Sequence, residues 1–359
     1  MRKKGSGADN KPVLDVPKTL LEVKGLSKFF PIRKGMFRKI VGQVRAVDDV
    51  GFSVAEGETL GLVGESGCGK TTTARCIVRA MDPTGGEILF RRKGGEIVDM
   101  AALAERDVRP LRREIQMIFQ DPYGSLNPRM NILDILGESL LVIGGMTNRE
   151  ERSDRVAELL QLVGLRPEFM QRFPHAFSGG QRQRIVIARA LALNPALVVA
   201  DEPVSALDVS VQAQVLNLMS KLQRELNLTY LFVAHDLSVV KHICDRVVVM
   251  YVGKIVEVAP TEALYRTPKH PYTAALMSAV PVADPRQRAA MIPLEGDVPS
   301  PANPPSGCYF HPRCPHAQDI CAREQPVLQT CGSGHQVRCH RAAELSLAGI
   351  GDAPAAAAV

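Results

Sequence analysis

The run Gly64-Glu65-Ser66-Gly67-Cys68-Gly69-Lys70-Thr71-Thr72 limits what this chain can fold into more than any other stretch. It satisfies G-x-x-x-x-G-K-[ST] in full, and its flanks fit the same pattern. The apolar stretch from Glu58 to Val63 reads as a short strand before it. Thr72 to Met81, with apolar Ala74, Ile77, Val78 and Met81, reads as a helix after it. A glycine-rich turn between a strand and a helix presents successive backbone N–H groups to one point, and the helix N-terminus adds partial positive charge there. That is a phosphate-binding loop. Lys70 is then placed as a point charge on the β- and γ-phosphates of a nucleotide, and the Thr71 hydroxyl as a ligand for Mg²⁺.

A chain of 359 residues, 45% hydrophobic and 23% charged, has room for two or three domains and a large core. No run approaches the roughly eighteen uncharged apolar residues of a membrane helix. The Met1–Gly7 start is basic but lacks the apolar core of a secretory signal, so a cytoplasmic protein with reduced thiols is expected. The formal charge of +6 is scattered over Arg2–Lys4, Arg33–Lys39, Arg91–Lys93 and Arg109–Arg113. Without a continuous basic stripe interleaved with aromatics, no nucleic-acid partner is expected.

Strands are expected at Leu20–Val23, Val47–Val54, Gly85–Phe90, Leu197–Ala200 and Tyr230–Ala234, with a hairpin around Gly253. Residues 132–165 read as largely helical, and Val211–Leu226 as an amphipathic helix. Pro31–Gln43 reads as a basic insertion, a solvated loop, with contact to lipid head groups or a partner as the alternative. The fold class is therefore α/β, a largely parallel sheet covered on both faces. Tails at 1–18 and 346–359 read as disordered, and 285–305 as a proline-rich linker.

Further motifs accompany the phosphate loop in order. Leu197–Pro203 ends a buried strand in the acid pair Asp201-Glu202: Asp201 is suited to hold Mg²⁺ through water, and Glu202 to polarise an attacking water. Gln120 opens a loop from which it can reach the metal or the water. Ser178-Gly179-Gly180-Gln181 precedes a second helix whose N-terminus suits an anion. Ser205-Ala206-Leu207-Asp208 follows the acid pair, and His235 ends a strand where an imidazole could meet a γ-phosphate.

Together these residues resemble the ATP-binding-cassette (ABC) ATPases. The resemblance makes 64–72 the Walker A loop (Gly64, Glu65, Ser66, Gly67, Cys68, Gly69, Lys70, Thr71, Thr72), Gln120 the Q-loop, Phe177–Gln181 the signature, with Ser178, Gly179, Gly180 and Gln181 binding nucleotide, and Asp201 the end of Walker B. It makes Glu202, His235 and Gln120 catalytic, Ser205–Asp208 the D-loop, and Thr71, Gln120 and Asp201 the Mg²⁺ set. Phe30 takes the adenine-stacking position, for which Phe29 competes. Phe177 stands where many cassettes carry Leu, and Thr72 where many carry Ser. The implied fold is a P-loop NTPase cassette over 19–260: a RecA-like core, an antiparallel β subdomain, and a helical subdomain over about 121–180. Two cassettes pair head to tail, so this chain needs a second cassette subunit or a second copy of itself.

Phe119–Arg129, the 31–45 insertion and His270–Leu276 resemble the F-type ATPase subunits of bacterial oligopeptide/dipeptide importers. That implies a peripheral protein on the cytoplasmic face of the inner membrane, with a D-type ATPase and two permeases as partners and a periplasmic binding protein delivering peptide. A nickel chelate or glutathione is the alternative cargo. A soluble repair or chromosome-maintenance cassette is a remote alternative, since no long insertion separates Gln120 from Ser178. The C-terminal domain, 261–345, carries Cys308-x5-Cys314-x6-Cys321-x17-Cys339, which resembles the motif that holds a [4Fe–4S] cluster in these subunits. Four thiolates suit zinc equally well, although no C-x₂₋₄-C pair is present. Cys331 is expected to lie outside the ligand set.

Overall fold

The structure is a computed structural model, and it describes residues 18–280, 291–332 and 334–349. The expected tails lie almost wholly outside those residues, as does the start of the proline-rich linker. Two sheets organise the chain. The first is antiparallel and joins β1 (Thr19–Lys34), β2 (Lys39–Ala55), β4 (Gly85–Arg91) and β5 (Ile97–Asp99) in the order β2-β1-β4-β5. Between β2 and β4 the chain contributes β3 (Thr59–Val63) to the second sheet. The basic stretch 31–43 is thus a hairpin rather than a loop. Its strands stay paired to Lys34–Lys39, and Met36 and Phe37 at the tip are over nine-tenths exposed.

The second sheet contains eight strands in the order β11-β12-β10-β9-β3-β8-β7-β6. Its new members are β6 (Ile115–Ile118), β7 (Leu197–Asp201), β8 (Thr229–Val233), β9 (Arg246–Tyr251), β10 (Lys254–Pro260), β11 (Gln329–Thr330) and β12 (Gln336–Val337). From β6 to β9 the pairing is parallel, and beyond β9 it turns antiparallel. The parallel strands are unbroken apolar runs because both faces are covered. Val198, Tyr230, Phe232 and Val249 face one core, while Leu60, Leu62, Val199, Leu231 and Val248 face the other. Each such fully buried aliphatic or aromatic side chain contributes roughly 1.5–3 kcal/mol. The β9–β10 hairpin turns at Val252 and Gly253, both in the left-handed region (φ 42 and 79), a pairing that matches the twist of the strands.

Helices cover the faces: α1 (Lys70–Ile77), α2 (Glu105–Leu111), α3 (Pro122–Ser125), α4 (Ile132–Val142), α5 (Arg149–Leu162), α6 (Gly179–Leu191), α7 (Val209–Leu226), α8 (Leu237–Ile243), α9 (Thr261–Arg266), α10 (Pro271–Ser278) and α11 (Asp319–Arg323). The pattern read as largely helical over 132–165 is two helices. Gly145 takes φ 72 and Asn148 begins α5 by accepting from the Glu150 N–H, so the chain reverses there. Helix α1 stops earlier than its apolar pattern suggests. Arg79 turns left-handed (φ 54) and points its guanidinium at the Ala101 and Leu103 carbonyls.

The chain after Pro260 is joined to this core. β12 extends the sheet through Glu257 and Val258, and Leu264, Tyr265, Tyr272, Met277 and Phe310 pack into the same hydrophobic cluster as β7 to β9. Among the described residues, no helix is long and apolar enough to cross a membrane.

Candidate functional site

The phosphate loop is built where β3 ends and α1 begins, as its sequence requires. Two of its glycines are obligatory. A Cβ on Gly64 (φ 150) would meet the Met250 carbonyl at 2.2 Å, and one on Gly69 (φ 106) the Ala46 carbonyl at 2.1 Å. Both clashes are with backbone, so no side chain can yield. Gly69 caps α1, leaving the helix N-terminus open to an anion. Lys70 is buried, and its ammonium donates to the carbonyls of Gly64 (2.7 Å) and Glu65 (3.1 Å). Cys68 is buried against it, with burial raising its thiol.

Three other strand ends deliver the acid pair and its companions. Asp201 closes β7 and accepts from the Thr71 hydroxyl at 3.0 Å, which joins the two residues expected to share Mg²⁺. Burial pushes the Asp201 carboxyl up, the Thr71 bond opposes that, and the charge of Glu202 adds to it. Glu202 stands just beyond the strand at φ 48, a left-handed conformation that costs an L-residue roughly 1–2 kcal/mol. Its N–H is pinned to the Val233 carbonyl at 2.9 Å. The Glu202 Oε2 atom accepts from Gln120 Nε2 at 2.8 Å and lies 3.2 Å from His235 Nδ1. Residues 120, 202 and 235 thus meet at one oxygen, and Glu202 and His235 line a groove with Ser205 and Asp236. A carboxylate held between an amide and an imidazole is oriented to take a proton from water.

Ser178 caps α6 in a reciprocal capping box with Gln181. A Cβ on Gly180 would meet Val211 Cγ1 at 2.4 Å, so this glycine is what lets α6 approach α7. Asp208 caps α7 by accepting from the Val211 N–H at 3.0 Å, and also accepts from the Ser210 hydroxyl; these bonds hold its carboxyl below the usual range. Among the described residues, no hydrogen bond or ion pair joins 178–181 to the loop at 64–72. Phe30 is partly exposed (37%) on β1 with the Lys28 ammonium 5.2 Å from its ring centre, and Phe29 sits near Arg45.

Cys308, Cys314, Cys321 and Cys339 line one small pocket with His311, His316 and His340. Burial pushes the Cys308 thiol up to about 12 and the Cys314 thiol to about 11, and the neighbouring cysteines push in the same direction. Cys331 is exposed and stands apart from this lining; His335 is engaged by Glu257 at 2.7 Å. Among the described residues, however, no group of three or more His, Cys, Asp or Glu side chains is arranged to hold a metal ion. The spacing brought the four thiols together; the arrangement itself does not support the expected metal centre.

Three residues of the site escaped the sequence reading. The Arg313 guanidinium bridges to Glu65 of the phosphate loop at 2.9 and 3.4 Å, and donates to the Tyr251 hydroxyl at 3.4 Å. The Glu65 N–H donates to the Tyr272 hydroxyl at 2.9 Å. Glu65 is therefore turned toward the C-terminal region at both its backbone and its carboxylate. Contacts across a sequence separation of 248 residues leave no periodic or spacing signal to find.

Residues 47–205 match the ABC transporter family, and 256–321 match the C-terminal region of oligopeptide/dipeptide transporters. The oligopeptide transport ATP-binding protein AppF of Bacillus subtilis is 54% identical over 327 residues, covering 90% of this chain and 97% of that protein. The chain is an ABC transporter ATPase. A probable peptide ABC transporter ATP-binding protein, y4tS of Sinorhizobium fredii, is 52% identical over 92% of each chain. Among solved structures, the dimeric post-hydrolysis state of the ATP-binding cassette MJ0796, bound to ADP and Pi, shares 29% identity at a TM-score of 0.58. It aligns over 67% of this chain and 99% of that one. As an ABC ATPase the chain binds and hydrolyses ATP with Mg²⁺, and its family works with membrane permeases.

Proposed function

We propose that this ATPase powers import of di- and oligopeptides, as a peripheral subunit on the cytoplasmic face of a bacterial inner membrane. The observation that carries the reading is one chain combining two features. It holds an ATP site with Gln120, Glu202 and His235 gathered on one carboxylate oxygen, and its C-terminal region matches that of oligopeptide/dipeptide transporters. Glu202 is the general base, His235 and Gln120 orient it and the γ-phosphate, and Thr71 and Asp201 hold Mg²⁺. Walker A residues 64–72 cradle the phosphates and Phe30 stacks on adenine. Ser178–Gln181 and Asp208 act in trans on a second cassette, a D-type subunit or another copy. The reciprocal capping box at Ser178 leaves the start of α6 formed and ready for such a pairing. The cassette, 19–260, is then driven closed by ATP and reopened by hydrolysis, with the loop after Gln120 receiving the permeases.

The four pocket thiols match a [4Fe–4S] cluster in donor type alone, since they are not arranged to hold a metal, with zinc as the second reading. Bound there, either group would cross-link the 308–339 segment. Iron and sulfide at about four each per purified chain would support the cluster; zinc at about one would replace it.

The decisive test is uptake of a labelled tetrapeptide by cells in which Glu202→Gln replaces the native chain. Loss of uptake, with the permeases still co-purifying, supports the reading. Undiminished peptide uptake overturns it, and loss of nickel-chelate or glutathione uptake instead reassigns the cargo.

A further inference from the structure

The C-terminal region reaches into the ATP site at one residue, and it does so from the wall of the cysteine pocket. Residues 308–314 form a continuous hydrogen-bonded turn: His311 N–H to the Cys308 carbonyl (3.0 Å), Arg313 N–H to the Phe310 carbonyl (3.0 Å) and Cys314 N–H to the His311 carbonyl (3.3 Å). Arg313 leaves that turn with only 8% of its side chain exposed, and its fork grips the Glu65 carboxylate. The second connection starts from His270 and Pro271, which also line the pocket; the adjoining Tyr272 is fully buried and accepts from the Glu65 N–H. Phe310, a third wall residue, packs against Tyr251 (ring centres 5.2 Å apart) and Tyr272 (5.5 Å), so both connections share one aromatic cluster.

What Glu65 does next is also visible. Its carbonyl, and that of Gly64 before it, hold the Lys70 ammonium. We infer that Arg313 and Tyr272 are positioning residues of the ATP site, setting the phosphate loop and Lys70 through Glu65, so that the state of the cysteine pocket and nucleotide affinity are linked. The physical reason is rigidity. A part-buried fork–fork ion pair, in which the Arg313 side is buried, and a buried aromatic cluster offer few alternative arrangements, so a shift of the 308–314 turn is passed to Glu65 rather than absorbed. Linkage is reciprocal: whatever in the pocket moves Arg313 changes nucleotide affinity, and nucleotide changes the pocket by the same factor.

The test uses the full-length chain as purified, with two readouts. The first is equilibrium binding of Mg-ADP together with KM and kcat for ATP in Arg313→Ala, Arg313→Lys, Glu65→Ala and the Glu65→Ala/Arg313→Ala pair. Arg313→Ala is expected to weaken binding and raise KM by about tenfold while kcat changes little. Arg313→Lys recovers part of the loss, and the double variant is no worse than either single one. Arg313→Ala binding within twofold of the parent, or fully additive losses in the double variant, overturns the proposal.

The second readout is the rate at which p-hydroxymercuribenzoate, which reacts with free thiols and displaces metals from bound ones, titrates the pocket cysteines in a Cys68→Ser/Cys331→Ser background, which removes the phosphate-loop thiol and the exposed thiol outside the pocket. Saturating Mg-ADP is expected to alter that rate in the parent and leave it unchanged in Arg313→Ala. Equal nucleotide effects in both chains, or none in the parent, overturn the linkage. Mg-ADP binding and the thiol titration need only the isolated chain and nucleotide, so they stand or fall independently of the second cassette and of the transported cargo.

Discussion

Glu202 shows how much a single residue can be made to do by its surroundings. Its backbone is held left-handed, its N–H is tied to Val233, and one carboxylate oxygen faces both Gln120 and His235. Glu202→Gln keeps the shape and removes the carboxylate proposed as the base. ATP binding measured by fluorescent-nucleotide titration should persist, while steady-state hydrolysis falls by at least about 100-fold. A second residue-scale expectation concerns His270, which is fully buried and caps α10 by accepting from the Tyr272 N–H through Nδ1. Burial lowers its protonation to about 4, against the opposing charge of Glu257. The unfolded chain, with an ordinary histidine near 6.5, binds the proton first. Stability is therefore complete above about 6.5 and declines as pH falls toward about 4. Thermal unfolding between those limits should show the decline, and His270→Asn, which keeps a capping acceptor, should flatten it.

At the scale of elements, the junction of α6 with α7 couples two motifs that the sequence shows only as neighbours in a list. Gly180 touches Val211, and Val211 is the residue whose N–H Asp208 caps. Gly180→Ala forces a β-branched side chain to move. It is expected to cost about 1–3 kcal/mol in chemical denaturation. Gly180→Ala/Val211→Ala should recover part of that loss, because the shortened side chain removes the clash at 2.4 Å. Equal destabilisation in the single and double variants would show that the contact is not what limits the approach of the helices.

For the molecule as a whole, the C-terminal region cannot be separated from the cassette without exposing the cassette's own core. Leu264, Tyr265, Tyr272, Met277 and Phe310 share a cluster with β7, β8 and β9. At roughly 1.5–3 kcal/mol for each large buried side chain, their loss is comparable with the 5–15 kcal/mol that keeps a typical domain folded. A chain ended after Pro260 is expected to be insoluble or to unfold tens of degrees below the full chain in calorimetry. The full chain should unfold with the C-terminal region and cassette in one transition. Separate transitions for the two parts would contradict the shared core.

Local physics explains what could be read in advance. The phosphate loop, the acid pair ending β7 and the capping serine of α6 depend on residues within a few positions of one another, and short-range chemistry writes itself into sequence. Apolar runs announced strands buried on both faces, and Cys308, Cys314, Cys321 and Cys339 were legible as a group because their side chains are chemically rare. The meeting of Gln120, Glu202 and His235 could be named only through resemblance, since three different strand ends bring them to one oxygen. The Lys34–Lys39 hairpin, the break at Gly144–Asn148 and the addition of β12 to the main sheet depended on partners elsewhere in the fold. Most of all, the grip of Arg313 and Tyr272 on Glu65 was decided by tertiary structure alone. An ion pair that closes over more than two hundred residues is selected by packing, and packing leaves no local pattern in the chain.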